Sequence, residues 1–201
     1  MLRSAEVTPQ DGRVARSHRT RLAIVDALIA LLEEGNVQPT IEEVAVRAGV
    51  APRTVFQHYA DREALFAAVS ARRGAELDAL MGDLPERGPL EPRIAAVVAQ
   101  RARVYEWIAP VRRAALLMEP FSASVHDALE GLRVIKRSQL LRVFASELGP
   151  LAEEDRAVVE AALGAVASYS AWDALRTQQG LSVGAASAAL HRTLRGLLVA
   201  G

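Results

Sequence analysis

The chain has no cysteine, and aromatic residues make up only 4% of its 201 residues. The absence of cysteine excludes disulfides and thiolate metal sites, and it is consistent with a reducing compartment. No apolar run approaches the roughly 18 to 20 residues that a bilayer-spanning helix needs. The first thirteen residues also lack the apolar centre of a secretory signal. We therefore expect a soluble cytoplasmic protein that has no membrane partner.

The formal net charge is zero at pH 7, so the total charge gives no sign of a nucleic-acid partner. The distribution of charge along the chain is more informative than its total. Four cations lie within nine residues near the start: Arg13, Arg16, Arg19 and Arg21. A basic arm of this kind can enter the minor groove of DNA, and it can equally remain without any contact.

Alanine and leucine dominate the apolar residues, which form 51% of the chain. Both are strong helix formers, and no segment shows the alternation or turn signals of a β-hairpin. The sequence therefore predicts an all-α fold. Five glycine and proline residues within eleven positions mark a domain boundary: Gly82, Pro85, Gly88, Pro89 and Pro92. We expect a flexible arm over residues 1–15, one helical domain over 16–80 and a second over 81–201.

Four helices are predicted in the first domain, because each boundary carries a recognisable start or stop residue. The first helix runs from Arg16 to Glu34, and the fourth runs from Arg62 to about Leu80. The boundary residues are Gly35 and Gly49 as C-caps, Thr40 with Glu43 as a capping box, Pro52 at a first helical position and Asp61 as an N-cap.

Five further helices are predicted beyond the boundary, over residues 93–108, 110–118, 122–147, 152–179 and 182–199. Proline residues and glycine divide them, because proline lacks the N–H that continues a helix and glycine favours a helix end. The dividing residues are Pro110, Pro120, Gly149, Pro150 and Gly180.

The segment TIEEVAVRAGVAPRTVFQHY, residues 40–59, indicates two short helices joined by a tight turn at Gly49. This is the layout of a DNA-reading helix-turn-helix. Its second helix must pack on its own domain with one face and offer polar groups to DNA with the other. The predicted packing residues are Val55, Phe56 and Tyr59, and the predicted polar face is Arg53, Thr54, Gln57 and His58.

These polar side chains match known ways of reading bases. Arginine can bind guanine and glutamine can bind adenine through two hydrogen bonds each, and a threonine methyl can pack on thymine. The hydroxyl of Thr40 and the free amides beside it form a second predicted phosphate site. Two assignments stay open, because Gln57 can be solvated without a base contact and His58 can cap its helix without contacting phosphate.

Residues 16–69 resemble the DNA-binding domain of the TetR family of bacterial regulators, through the segment above and the following A-D-R-E-A-L. The resemblance implies a larger ligand-binding and dimer-forming helical domain behind it. It also implies that Thr40, Arg53, Thr54, Gln57, His58 and Arg62 face DNA. The family often uses an aromatic hydroxyl on phosphate at the position of Phe56, which has none. Tyr59 brings a hydroxyl nearby, so we include Tyr59 among the expected DNA contacts.

The second domain is expected to bind a small-molecule effector, because helical bundles hold ligands among inward-facing side chains. The predicted pocket residues lie on four predicted helices: Tyr105, Trp107, Arg112, Met118, Phe121, His126, Tyr169, Trp172 and Asp173. Plain core packing is the competing interpretation of these residues. His126 and His191 have no second ligand at metal spacing, so we expect neither a metal nor a cofactor.

The last two predicted helices, 152–179 and 182–199, carry many small residues that allow close helix approach, among them Ala161, Gly164 and Ala165. The resemblance implies that these helices form a homodimer interface; packing within one subunit is the alternative. Our main hypothesis is a dimeric, ligand-responsive transcription regulator, a repressor that binds a palindromic DNA operator. The alternative is an all-helical protein-interaction module. Catalysis is not expected, because no nucleophile, phosphate-loop or metal-ligand pattern is present.

Overall fold

The computed structural model describes residues 9–199, apart from the side chains of residues 9–11 and 75. All regular structure in this range is helical, which confirms the all-α prediction. The α-helices are α1 Pro9–Glu33, α2 Ile41–Ala48, α3 Pro52–His58, α4 Arg62–Met81, α5 Leu90–Met118, α6 Ala123–Val143, α7 Ala145–Leu148, α8 Glu153–Val166, α9 Tyr169–Asp173 and α10 Val183–Val199. A 3₁₀ turn spans Glu119–Phe121, and a π-helical turn spans Ala174–Gln178.

The chain divides into two compact units. The first unit contains Met1–Ala75 and Pro110–Met118, and the second contains Glu76–Ala109 and Glu119–Gly201. The division therefore falls inside α4, several residues before the Gly- and Pro-rich segment that the sequence marked. A helix can belong to two units because its own hydrogen bonds need no tertiary partner.

In the first unit, α1 and α2 pack against each other, and α2 packs against α3. The interior is apolar and includes Ile24, Leu32, Val44, Leu65 and Val69. Burial of one such side chain stabilises the fold by about 1.5 to 3 kcal/mol before chain entropy is counted. Most charged residues of these helices lie on the outward surface, whereas Arg73 of α4 is buried and pairs with Glu33 of α1.

In the second unit, α8 packs against α6 and α10. Its apolar core draws one or two fully buried side chains from each long helix: Ile94, Val97, Leu140, Leu163 and Leu194. Buried polar side chains also lie in this unit, among them Arg93, Gln100 and Arg101.

The first helix is longer than the sequence predicted. It begins at Pro9, so residues 9–15 of the expected arm are helical, while residues 1–8 lie outside the described part of the chain. Proline is well tolerated in a first helical turn, where its missing N–H would have no partner. The predicted end at Gly35 is confirmed by its positive φ of 93°.

Two other predicted boundaries are wrong. Pro110 lies inside the continuous helix α5 and does not divide it. Buried residues continue on both sides of it, at Tyr105 and Val111, and packing of those residues outweighs the loss of one N–H donor. The predicted helix over 152–179 is instead interrupted, because the Ser168 hydroxyl accepts the Ala171 amide at 3.1 Å and starts a new helix there.

Candidate nucleic-acid interface

The turn between α2 and α3 has the geometry that the glycine predicts. Gly49 adopts a left-handed conformation with φ of 68°. Its amide donates to the Val46 carbonyl at 3.2 Å, and the Val50 amide donates to the Ala45 carbonyl at 3.0 Å. These two bonds form a Schellman motif, which ends the helix and satisfies its last carbonyls. The angle at which α3 leaves α2 is therefore fixed by backbone hydrogen bonds.

The start of α2 is closed by the predicted capping box. The Glu43 amide donates to the Thr40 hydroxyl at 3.2 Å, and the Thr40 amide donates to the Glu43 carboxylate at 2.7 Å. The hydrogen bond from the Thr40 amide holds the pKa of Glu43 below its usual value. The Thr40 hydroxyl also lies 3.0 Å from the same carboxylate. The cap is therefore formed without DNA, and a phosphate contact by Thr40 remains a prediction.

Two residues anchor α3 to the first unit. Val55 is fully buried, and Tyr59 is only 5% exposed. The Tyr59 hydroxyl donates to the Arg21 carbonyl of α1 at 3.1 Å, and the Arg21 guanidinium lies 5.2 Å from the centre of its ring. Burial and this backbone partner agree with the predicted packing role of Tyr59, and the phosphate contact expected of its hydroxyl stays a prediction.

The opposite face of α3 is open to solvent. Arg53 and Gln57 are exposed there, as predicted for side chains that read bases. Phe56 is 55% exposed and lies on the same face, so its predicted role as a packing residue is wrong. Its spacing explains the result: Phe56 follows Arg53 by three residues, which places both on one side of a helix. The same spacing read from Arg53 would have found this outward aromatic ring in the sequence.

The remaining predicted contacts border this face. Thr54 and His58 are half-buried at the edge of α3. Arg62 is exposed at the first position of α4, where the Asp61 carboxylate accepts the Ala64 amide at 2.7 Å and caps the helix as predicted. The structure thus gathers Arg53, Phe56 and Gln57 on one outward surface. We call this surface the α3 face.

Four of the predicted pocket residues come together inside the second unit. The ring of Tyr105 lies 5.7 Å from the Tyr169 ring, edge to face, and 6.4 Å from the Trp172 ring. The Tyr169 hydroxyl donates to Asp173 at 3.2 Å, and the Tyr105 hydroxyl donates to the Ala167 carbonyl at 2.7 Å. We call Tyr105, Tyr169, Trp172 and Asp173 the aromatic cluster.

The other predicted pocket residues are placed elsewhere. Phe121 is 90% exposed, and His126 is exposed with Nδ1 3.3 Å from the Glu119 carboxylate. Phe121 lies in the 3₁₀ turn and His126 in the first turn of α6, so the structure does not bring them into the aromatic cluster, and a ligand contact by either stays a prediction. Arg112 and Met118 fall in the part of α5 that belongs to the first unit. Trp107 is half-buried in the second unit.

Sequence comparison agrees with this geometry. Residues 24–69 match the family model of bacterial regulatory proteins of the tetR family, and the matched segment contains all of α2 and α3. No curated protein matches the chain. In the part of the chain that the structure describes, no helix is long and apolar enough to cross a membrane. Within the same residues, no group of three or more histidine, aspartate or glutamate side chains is placed to hold a metal ion.

Proposed function

Because this chain belongs to the tetR family of bacterial regulatory proteins and is a DNA-binding transcription regulator of that type, we propose that it is a dimeric repressor released from DNA by a small molecule. One observation carries the proposal: Arg53 and Gln57 are exposed on the α3 face, while Val55 on the other side of α3 is buried in the apolar interior. These are the side chains that bind guanine and adenine in the major groove.

The positions around α3 supply contacts that orient it on DNA. Arg62 adds an exposed cation at the start of α4, and the N-terminus of α2 favours phosphate, as helix N-termini do. Such contacts are made to phosphate, and they fix the register of the protein without reading sequence. Thr54 and His58 extend the same surface at its edge.

A stripe of small and apolar residues on the last long helices supports a homodimer. On α8 the exposed residues Val158, Ala161 and Ala165 recur at helical spacing, and Val158 is 68% exposed. Ala185 and Ala188 are exposed at similar spacing on α10. Exposed apolar residues aligned in this way favour association, and small side chains let helices approach closely. A two-fold dimer presents two α3 faces to the two halves of a palindrome.

The aromatic cluster supports effector binding in the second unit. Its rings and polar ends combine apolar surface with hydrogen-bonding groups, which is the usual lining of a small-molecule site. Release from DNA then requires that the effector bind more tightly to the form of the dimer that does not bind DNA.

Selection of bound sequences from random duplexes tests the proposed function. The expected outcome is a palindrome, and insertion of five base pairs at its centre is expected to abolish tight binding, because this rotates one half-site to the far side of the helix.

Sedimentation of Ala161→Arg against the control Ala145→Arg, which changes an exposed residue of α7, tests the proposed dimer interface. If the selected DNA site were not palindromic and the wild type sedimented as a monomer, the proposal that a dimer binds DNA would be overturned.

A further inference from the structure

Arg101 of α5 is the most deeply buried charged residue in the second unit, with only 1% exposure. Its guanidinium donates to the side-chain oxygens of Gln100 at 3.0 Å and Gln139 at 3.4 Å, and to the Lys136 carbonyl at 3.0 Å. Its Nε has no acceptor. All three acceptors are neutral, and among residues 12–74 and 76–199 no carboxylate pairs with this guanidinium.

Two other arginines of the same unit, unlike Arg101, form ion pairs with carboxylates. Arg93 is also buried, but it forms a two-pronged ion pair with Glu147, and Arg176 forms one with Glu106. Removing a charge from water without an opposite charge is strongly unfavourable. The loss of hydration lowers the pKa of Arg101 accordingly. The fold therefore supplies carboxylates to two arginines and leaves Arg101 with a positive charge that only neutral groups contact.

We propose that Arg101 binds the carboxylate of the effector, a small organic acid with an apolar or aromatic body. This inference rests on the proposed release of the regulator by a small molecule, and it names the chemical class of that molecule. A guanidinium fork matches a carboxylate in shape and in charge. One guanidinium with amide neighbours suits a single negative charge. Tyr105 lies four residues further along α5, one helical turn from Arg101, and its ring contacts Tyr169 and Trp172 of the aromatic cluster. The body of the acid would pack against this cluster.

The contacts around Arg101 also connect this site to α4. The Gln100 side-chain amide donates to the carbonyl of Met81, the last residue of α4, and the Gln139 amide donates to the Gly82 carbonyl at 3.4 Å. Arg101 holds both glutamines by their oxygens, so a carboxylate that takes the guanidinium competes with these oxygens. Gln139 is bound at 3.4 Å on both sides and is the acceptor that an anion displaces most easily.

That displacement loosens the hold on the C-terminal end of α4, the helix that begins with the predicted DNA contact Arg62. A carboxylate at Arg101 is therefore expected to favour a different position of the α4 end. In thermodynamic terms, the acid binds more tightly to the form in which the two glutamines have released α4.

Matched pairs of acids and amides test the proposal, because they differ in charge and little in shape. Benzoate with benzamide, and octanoate with octanamide, are titrated into the full chain, and the unfolding temperature and the DNA affinity are measured. The variant is Arg101→Met, which replaces the charged side chain by an uncharged, unbranched one. The control is Arg142→Met, which makes the same change at an exposed arginine of α6. We expect at least one acid to stabilise the wild type and the control, with binding about 10- to 100-fold weaker in Arg101→Met.

The variant without ligand gives a second, independent readout. If Arg101 is an unpaired charge kept for a ligand, Arg101→Met unfolds at the wild-type temperature or above it. A clear fall in unfolding temperature together with no effect of any acid would overturn the proposal and identify a structural arginine. Equal effects of acids and amides would overturn the anionic class while leaving an effector-released regulator. Acid binding that depends on Arg101 but leaves the DNA affinity unchanged would support the site and contradict release by the effector.

Discussion

The two units of this chain differ in how deeply they bury polar residues: the first buries Arg73 and Arg112 to 9% exposure, and the second buries three polar side chains to 3% or less. In the first unit the helices bury an apolar interior and turn Arg53 and Gln57 outward on the α3 face. In the second unit arginine and glutamine residues lie inside, where Arg93, Gln100 and Arg101 are almost inaccessible to water. A DNA-binding surface needs only exposed polar side chains on helices that a well-packed interior holds in place. The small-molecule site proposed for the second unit would place polar groups inside the core, where the stability of the fold depends on how each buried polar group is paired.

The largest effect is expected on the α3 face. Arg53→Ala combined with Gln57→Ala removes two predicted base contacts, each worth about 1 to 3 kcal/mol, so the affinity for the selected operator should fall at least about 30-fold. The unfolding temperature should change little, because both side chains are exposed. Fluorescence anisotropy with labelled operator measures the affinity. Arg72→Ala on α4 is the control, and an equal loss of affinity in that control would contradict the assignment of the α3 face.

The buried ion pair of the second unit should give the next largest effect. Glu147→Ala leaves Arg93 buried without its carboxylate, and we expect the free energy of unfolding to fall by about 3 to 5 kcal/mol. Urea unfolding at pH 7 measures this change. A loss below about 1 kcal/mol would show that Arg93 reaches water or finds another acceptor, and the contrast between the two units would then be weaker than the structure indicates.

The same pair predicts a dependence of stability on pH. The Arg93 guanidinium holds the pKa of Glu147 below its usual value of 4.5. A lowered folded-state pKa means that the stabilisation is complete above the unfolded-state pKa and is lost as the pH falls through the folded-state value. The wild type should therefore lose stability below about pH 4.5. Glu147→Gln should be less stable at pH 7 and should lose less on acidification, which unfolding curves between pH 7 and pH 3 will show.

A smaller effect is expected at Tyr59, and it separates packing from DNA contact. Tyr59→Phe removes the hydrogen bond to the Arg21 carbonyl and should lower the free energy of unfolding by about 0.5 to 1.5 kcal/mol. At a temperature where the variant is fully folded, its affinity for operator should equal that of the wild type. A lower affinity for operator with an unchanged free energy of unfolding would instead indicate that the Tyr59 hydroxyl contacts DNA.

The smallest effect is expected from the exposed ion pair between Arg47 of α2 and Glu34, the residue that follows α1. Both side chains are largely exposed, and exposed pairs contribute about 0.2 to 1 kcal/mol. A double-mutant cycle with Arg47→Ala and Glu34→Ala should give a coupling energy within that range, reduced by added salt. A larger, salt-independent coupling would mean that polar surface contacts also stabilise the first unit.

The sequence predicts the first unit well because its boundaries are set by local rules. Thr40 with Glu43, Gly49 and Asp61 act within four residues of their partners, so the pattern contains the whole interaction. The error at Phe56 is an error of face: Phe56 and Tyr59 are both aromatic and were both predicted to pack inward, and only Tyr59 does.

The second unit could be predicted only in outline. Tyr105, Tyr169 and Trp172 were named as candidate pocket residues, and the structure brings their rings together, but whether they bind a ligand stays a prediction. Arg101 was not predicted as a site residue, because an arginine on a helix usually lies on the surface and its partners Gln139 and Lys136 come from another helix, α6. The pairing of buried polar groups is set by tertiary contacts, and periodicity along one helix does not contain it.

One measurement tests the central claim most directly: anisotropy of the full chain with its selected operator and with a scrambled duplex, over a series of salt concentrations. The account predicts tight binding to the operator alone and an affinity that falls steeply as salt rises, because phosphate contacts release counterions. Weak binding that is equal for both duplexes at every salt concentration would contradict the claim that the α3 face reads DNA.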